Sequence, residues 1–175
     1  MNDRIMNVLR SLLAPIIVVP IYILIHEGGH ALVSILCGAK ITSFSILRAH
    51  VVSEGGNFNT VTTSLRSAAG ALLPIIVSTV LLLFYKKTSS SKFYHFIMLM
   101  AGFISVGSSL AWVLVPILYL NGNAPVLDDA TTFLEVSKIH PIIVIIGAIG
   151  IITLYIILMW KKQVIQNWWR MIQNK

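Results

Sequence analysis

Two histidines and a glutamate stand close together in the segment "YILIHEGGHALVSIL", which is otherwise free of charged residues. His26 and His30 are four residues apart, so on an α-helix their side chains lie on one face, one turn apart. Two imidazoles in this arrangement can bind one zinc ion, and Glu27 can reach a water molecule on that ion. Ionisable groups within an apolar segment are costly in lipid and are usually functional. The spacing therefore predicts a zinc site with an acid–base residue beside it.

A zinc site that acts on a substrate needs a third protein ligand and an open coordination position. Two adjacent aspartates, Asp128 and Asp129, precede a short helical pattern. One of them can cap this helix by accepting backbone N–H groups while the other turns toward the metal. We predict Asp129 as the third ligand and Asp128 as the cap, with Asp128 as the alternative ligand. Other histidines and carboxylates of the chain that enter the comparison are His50, Glu54, His95, Glu135 and His140.

The composition indicates that membrane-spanning helices hold these residues. Of the 175 residues, 57% are hydrophobic and only 11% are charged, which is too few charges to cover a soluble domain. A helix of about 20 apolar residues crosses a bilayer. We therefore expect an α-helical integral membrane protein with about four transmembrane helices and a connector from about residue 121. The four windows are 11–39, 67–85, 93–127 and 139–160.

The positive charges are unevenly distributed between the two ends of these predicted helices. Nine lysines and arginines fall on the side of the chain termini and four on the other side. By the positive-inside rule this predicts a multi-pass protein of the cell membrane with both termini cytoplasmic. Because the net charge of +7 is sorted in this way, we expect lipid and not nucleic acid as its partner. The nine are Arg4, Arg10, Lys86, Lys87, Lys92, Lys161, Lys162, Arg170 and Lys175, and the four are Lys40, Arg48, Arg66 and Lys138.

The segment between the first and second predicted helices, residues 40–65, has a different composition. It is rich in Ile, Thr, Val, Ser and Phe, with partial alternation, and "EGG" gives a turn signal. This pattern predicts two short strands, a small β-hairpin between helices one and two. An irregular loop is the alternative.

The last residues of the chain combine aromatic and basic side chains. We predict a single membrane-embedded core over residues 1–160 and a basic amphipathic cytoplasmic tail over 161–175. We expect this tail to lie on the inner leaflet. The apolar residues that share one helical face are Ile165, Trp168, Trp169 and Ile172.

Three motifs resemble those of the site-2 protease family of intramembrane zinc metalloproteases. "HEGGHALVSILCGAKI" resembles the family's first motif, and "SAAGALLP" is similar to its small-residue helix, with Gly70-Ala71 where Gly-Pro is expected. "NGNAPVLDDA" is similar to the second motif of larger members, N-x-x-P-x-x-L-D-G, which makes Asp128 the ligand. "DATTFLE" is similar to a compact branch, which makes Asp129 the ligand. The two alignments leave both aspartates open.

The resemblance covers about residues 15–141 and implies a minimal intramembrane zinc metalloprotease. It implies Zn²⁺ as cofactor, Glu27 as general base and a membrane protein as substrate, cut within or near a transmembrane segment. It also implies that the strand pair holds an unwound substrate segment. A membrane protein that binds or transports a metal without hydrolysis is the alternative. Glu27 argues against a carrier, because a carrier needs no acid–base residue outside its ligand set.

Overall fold

Four long apolar helices make up most of the structure. The computed structural model describes the backbone of residues 3–173 and the side-chain environments of residues 5–173. The side chain of Arg4 and the whole of Lys175, whose charges were counted above, therefore lie outside the described part. The prediction of four long apolar helices is confirmed, and the third ends at Leu120, just before the predicted connector. These helices are α1 (Asp3–Leu36), α2 (Thr60–Leu83), α3 (Lys92–Leu120) and α5 (Pro141–Lys161). The shorter elements are β1 (Ala39–Ser45), β2 (His50–Gly55), α4 (Asp129–Ser137) and α6 (Val164–Ile172).

The predicted strand pair between α1 and α2 is confirmed, but its turn lies elsewhere. Strands β1 and β2 are antiparallel, and Ser45 pairs with His50, so residues 46–49 close the hairpin. The prediction that "EGG" forms the turn of the hairpin is wrong. Gly55 and Gly56 have φ angles of +72° and +84° and follow β2, where they redirect the chain toward α2.

Helix α2 begins earlier than the predicted residue 67. Asn59 caps it, because its side-chain oxygen accepts the N–H of Thr62 at 2.9 Å and the Thr62 hydroxyl accepts the N–H of Asn59 at 2.8 Å. This reciprocal cap satisfies N–H groups that a helix start leaves without partners. Residues 60–65, with their β-branched side chains, therefore belong to a helix and not to the strand region.

Small residues allow α1 and α2 to pack at very short range beside the histidines. A Cβ atom added at Gly29 would lie 2.2 Å from the carbonyl oxygen of Ala69, so the backbone of α2 fills the space where a side chain would stand. Close approach through small residues is the usual way in which helices associate in lipid. The hairpin is tied to the same region, since the hydroxyl of Ser53 lies 3.3 Å from that of Ser34 on α1.

The opposite end of the bundle contains an aromatic and aliphatic cluster on which α6 packs. Val164 is fully buried there, Trp168 is partly buried, and Trp169 is exposed. Asn167 donates to the Tyr85 hydroxyl at 2.9 Å, which fixes α6 against the end of α2. Part of the predicted apolar face of the tail thus contacts protein, and its location on the inner leaflet stays a prediction. The buried members of the cluster are Leu82, Tyr85, Met98, Leu99, Tyr155, Met159 and Val164.

Candidate metal centre

The two histidines of the motif lie on the same side of α1, facing α2. Their Nε2 atoms are 3.3 Å apart, as the spacing of four residues predicts for one helical face. His30 is buried, whereas His26 is about one quarter exposed. The pair is therefore held inside the protein with one imidazole nearer to solvent.

Asp129, the first residue of α4, completes a group of three possible ligands. Its Oδ2 atom lies 3.2 Å from Nε2 of His26 and 3.2 Å from Nε2 of His30. Within the part of the chain that the structure describes, this is the one group of three or more histidine, cysteine or acidic side chains close enough to share a metal ion. The group joins residues that are far apart in the sequence.

The distances within this group suit tetrahedral zinc. Ligand atoms about 2.0–2.1 Å from a zinc ion, at tetrahedral angles, are about 3.3 Å from one another. The three observed separations are 3.2, 3.2 and 3.3 Å. Three such ligands would leave the fourth position of a tetrahedral ion open, and an open position is what distinguishes catalytic from structural zinc sites.

Hydrogen bonds on the far side of each ring orient the two imidazoles. Nδ1 of His30 lies 2.7 Å from the backbone carbonyl oxygen of Arg66 and must donate to it, so Nε2 of a neutral ring carries a lone pair toward Asp129. The hydroxyl of Tyr22 lies 3.4 Å from Nδ1 of His26. Such partners are typical of metal-binding histidines. Lone pairs this close together repel unless a cation or a proton lies between them.

The two aspartates occupy different environments. The side chain of Asp128 accepts the backbone N–H groups of Ala130 and Thr131 at 2.9 and 3.4 Å, so it is the N-cap of α4, as expected. Burial raises the pKa of Asp129, but hydrogen bonds and attraction from His26 and His30 outweigh this and lower it to about 2. Asp129 therefore stays negatively charged at physiological pH, which is the state that binds metal.

Glu27 lies outside the ligand group but in the same cavity. It is 5% exposed, and it lines a polar cavity of about 510 Å³ together with both histidines and both aspartates. This cavity is large enough for water and for part of a peptide chain. Its remaining lining residues are Ala49, His50, Val51, Arg66, Ser67, Leu127 and Thr132.

Gly70 on α2 is a site-forming residue whose role the sequence analysis did not identify. A Cβ atom there would lie 2.3 Å from Nε2 of His30 and 2.8 Å from Cε1 of His26, so only glycine leaves room for both rings. Its sequence signal was the small-residue run "SAAGA", which predicts close helix packing but not what packs there.

Of the other residues considered as third ligands, only His50 lies in the same cavity as His26, His30 and Asp129. His50 lines the cavity from β2. Glu54 and Glu135 are exposed, and His140 caps α5 by accepting the N–H of Ile142. His95 is buried at the opposite end of the bundle, where its Nδ1 bonds the Tyr85 hydroxyl at 2.5 Å.

Comparison of the chain with protein-family models, with curated proteins and with solved structures finds no match. The site-2 protease resemblance therefore stays a prediction from the three motifs.

Proposed function

We propose that the protein is an intramembrane zinc metalloprotease that hydrolyses peptide bonds in or near the transmembrane segments of other membrane proteins. The observation that carries the proposal is the triangle of His26, His30 and Asp129, at zinc-ligand spacing, with Glu27 in the same cavity. In this proposal the four long helices cross the cell membrane, both termini are cytoplasmic, and residues 1–160 form one catalytic core.

His26, His30 and Asp129 would hold the zinc ion. When bound, zinc supplies a Lewis acid for the peptide carbonyl and lowers the pKa of a coordinated water toward about 7. The carbonyl oxygen of Arg66 and the Tyr22 hydroxyl keep the two imidazoles oriented for this task. Asp128 contributes indirectly, because its cap stabilises the first turn of α4, on which Asp129 stands.

Glu27 would act as the general base and then as the general acid. It follows His26 in the sequence, so its side chain is rotated by about 100° from the ligand on the helix and stays free for proton transfer. It takes a proton from water during attack on the peptide carbonyl and returns it to the leaving amine. Its low exposure keeps the carboxylate out of bulk solvent, where a proton would be lost to competing water.

The polar cavity supports hydrolysis inside a membrane. Water has to reach the peptide bond, and non-helical backbone is tolerated at membrane depth only where it lines such a cavity. Ser67, Thr132 and His50 add polar groups to its wall. An unwound substrate segment could place its exposed peptide groups there, next to the ligands.

The experiment compares three forms of the full chain in membranes: wild type, Glu27→Gln and Glu135→Gln. Glu135 is an exposed glutamate on α4 and serves as the matched control. We expect all three purified proteins to bind about one zinc ion per chain, and only Glu27→Gln to lose cleavage. The measurements are zinc content by mass spectrometry and new peptide termini among membrane proteins.

A carrier function predicts a different result from the same experiment. If Glu27→Gln leaves the pattern of new termini unchanged, the protease proposal is wrong. If zinc is bound and moved across vesicle membranes by wild type and Glu27→Gln alike, the protein is a metal carrier.

A further inference from the structure

Arg66 is the one arginine among the described residues that line the polar cavity. It stands in the second turn of α2 and lines the cavity together with the hairpin residues His50 and Val51. Its guanidinium carbon lies 5.9 Å from the centre of the Phe58 ring, which holds the side chain by a cation–π contact. The guanidinium thus has a defined location against the Phe58 ring and not a free position in solvent.

The guanidinium has donors that the protein leaves unused. Its Nε–H is buried and has no hydrogen-bond partner, and no carboxylate among the side chains described, residues 5–173, forms an ion pair with it. The aspartates of the cavity are engaged elsewhere, since Asp129 contacts the imidazoles and Asp128 caps α4. A buried donor without an acceptor is costly, so the arrangement favours a ligand that brings one.

We propose that Arg66 binds a carboxylate of the substrate and makes the enzyme selective for acidic segments. The inference rests on the proposed function, because it concerns the substrate of the same cavity. A carboxylate matches the planar donor fork of arginine and binds it through two hydrogen bonds, most strongly where water is excluded. The carboxylate comes either from an Asp or Glu side chain or from the end of a chain.

The location of Arg66 links this binding to the position of the scissile bond. Its backbone carbonyl accepts the proton of His30 Nδ1, so one residue contacts a proposed zinc ligand and presents the guanidinium. The backbone of Arg66 is thus fixed against His30, and a substrate carboxylate bound by its side chain would lie within the length of that side chain from this contact. This limits which peptide bond reaches Glu27 and the open coordination position.

The test measures binding to full-length Glu27→Gln protein loaded with zinc, so that peptides bind without being cut. The probes are fluorescent peptides of Ala, Leu and Gly in detergent, in three matched sets. The first carries Glu at each position in turn with an amidated end, the second has Gln in place of Glu, and the third has Gln and a free terminal carboxylate. We expect roughly tenfold to hundredfold tighter binding of the best acidic peptide than of its Gln partner.

Variants at position 66 assign this preference to the guanidinium. Arg66→Gln is expected to abolish the preference, and Arg66→Lys to keep part of it. Arg66→Glu is expected to reverse it, so that the Gln peptides bind more tightly than the Glu peptides. Arg48→Gln is the matched control, because Arg48 carries the same charge but is exposed in the turn between β1 and β2. The first and third peptide sets tell a side-chain carboxylate from a terminal one.

Defined outcomes would overturn the inference. Equal binding of acidic and neutral peptides would indicate that Arg66 has another ligand, such as a lipid phosphate. An unchanged preference in Arg66→Gln would show that another group binds the carboxylate. An equal loss of preference in Arg48→Gln would indicate general charge attraction. Should Arg66→Gln lose zinc through misfolding, Arg66→Lys and Arg66→Glu carry the same comparison. Because binding is measured without turnover, a preference seen in a protein that cleaves nothing would refute the proposed function alone.

Discussion

Replacing Gly70 with alanine should remove zinc binding while leaving the helices folded. The added Cβ would lie 2.3 Å from Nε2 of His30, far inside van der Waals contact. The ring of His30 has little freedom to move, because its Nδ1 atom is hydrogen-bonded at 2.7 Å to the carbonyl oxygen of Arg66, which lies on α2 like Gly70. The backbones are also fixed, since α1 and α2 already touch at Gly29. The substitution must therefore displace the imidazole that would bind the metal.

The expected effects on stability and on zinc affinity differ in size. Overpacking costs about 1–3 kcal/mol, and the gain in helix propensity from glycine to alanine offsets about 1 kcal/mol of it. Disturbing the partners of a metal ligand already weakens metal affinity by about 10–100-fold, and here the proposed ligand His30 would itself move. A loss of about 100-fold corresponds to about 2.8 kcal/mol. We therefore expect a small fall in the stability of the metal-free protein and a larger loss of zinc affinity.

The assay is the rise in thermal unfolding temperature with added zinc, together with zinc retained after dialysis against a chelator. Bound zinc raises stability in proportion to the logarithm of its concentration over Kd, so weaker binding shrinks the rise. Gly28→Ala is the control, because Gly28 lies in the same motif and an added Cβ there has nothing within 4 Å. Full zinc retention in Gly70→Ala, or equal loss in Gly28→Ala, would refute the packing argument.

Two further predictions concern the third ligand and the topology. Asp129→Asn should lose zinc and activity together, because the amide is neutral, whereas Asp128→Asn should cost at most about 1 kcal/mol of stability, since asparagine also caps helices. Zinc analysis of both variants decides between them, and metal loss in Asp128→Asn alone would make Asp128 the ligand. Reporter fusions after Lys175 and within "YKKTSSSK" should be cytoplasmic, and fusions within "SEGGNFN" external. The reverse pattern would overturn the orientation inferred from charge.

The parts of the fold that were predictable depend on neighbours in sequence. His26 and His30 lie on one face of α1 because residues four apart do so on any helix. The long helices were predictable from runs of apolar side chains. The hairpin was predicted from composition, but its turn was predicted at the wrong residues. "EGG" is a strong turn signal, yet positive φ angles at Gly55 and Gly56 serve equally well to end a strand and redirect the chain. A local signal predicts a bend without specifying which two elements it joins.

The parts that were not predictable depend on contacts between distant segments. Gly70 looks like any small residue of a membrane helix until His30 is found against it. From the sequence, Arg66 is a charged residue near the start of a helix, and only the structure shows that its carbonyl accepts a hydrogen bond from His30. Both roles arise because α1 and α2 approach so closely, and that distance follows from Gly29 and Ala69 together, not from either residue alone.

Helix capping and packing in the bundle together decide which of the two adjacent aspartates faces the histidines. Asp128 has an extended backbone, with φ −75° and ψ 146°, which turns its side chain back onto the free N–H groups of α4. Asp129 is the first helical residue, so its side chain leaves the backbone in a different direction, and its carboxylate lies beside the histidines. Burial of Ala130 and Leu134 then fixes the rotation of α4 in the bundle. For Asp128 to bind the metal instead, α4 would lose its cap and have to rotate, which exposes these apolar side chains. The capping residue thus selects Asp129 as the proposed ligand, although it forms no ion pair with either histidine.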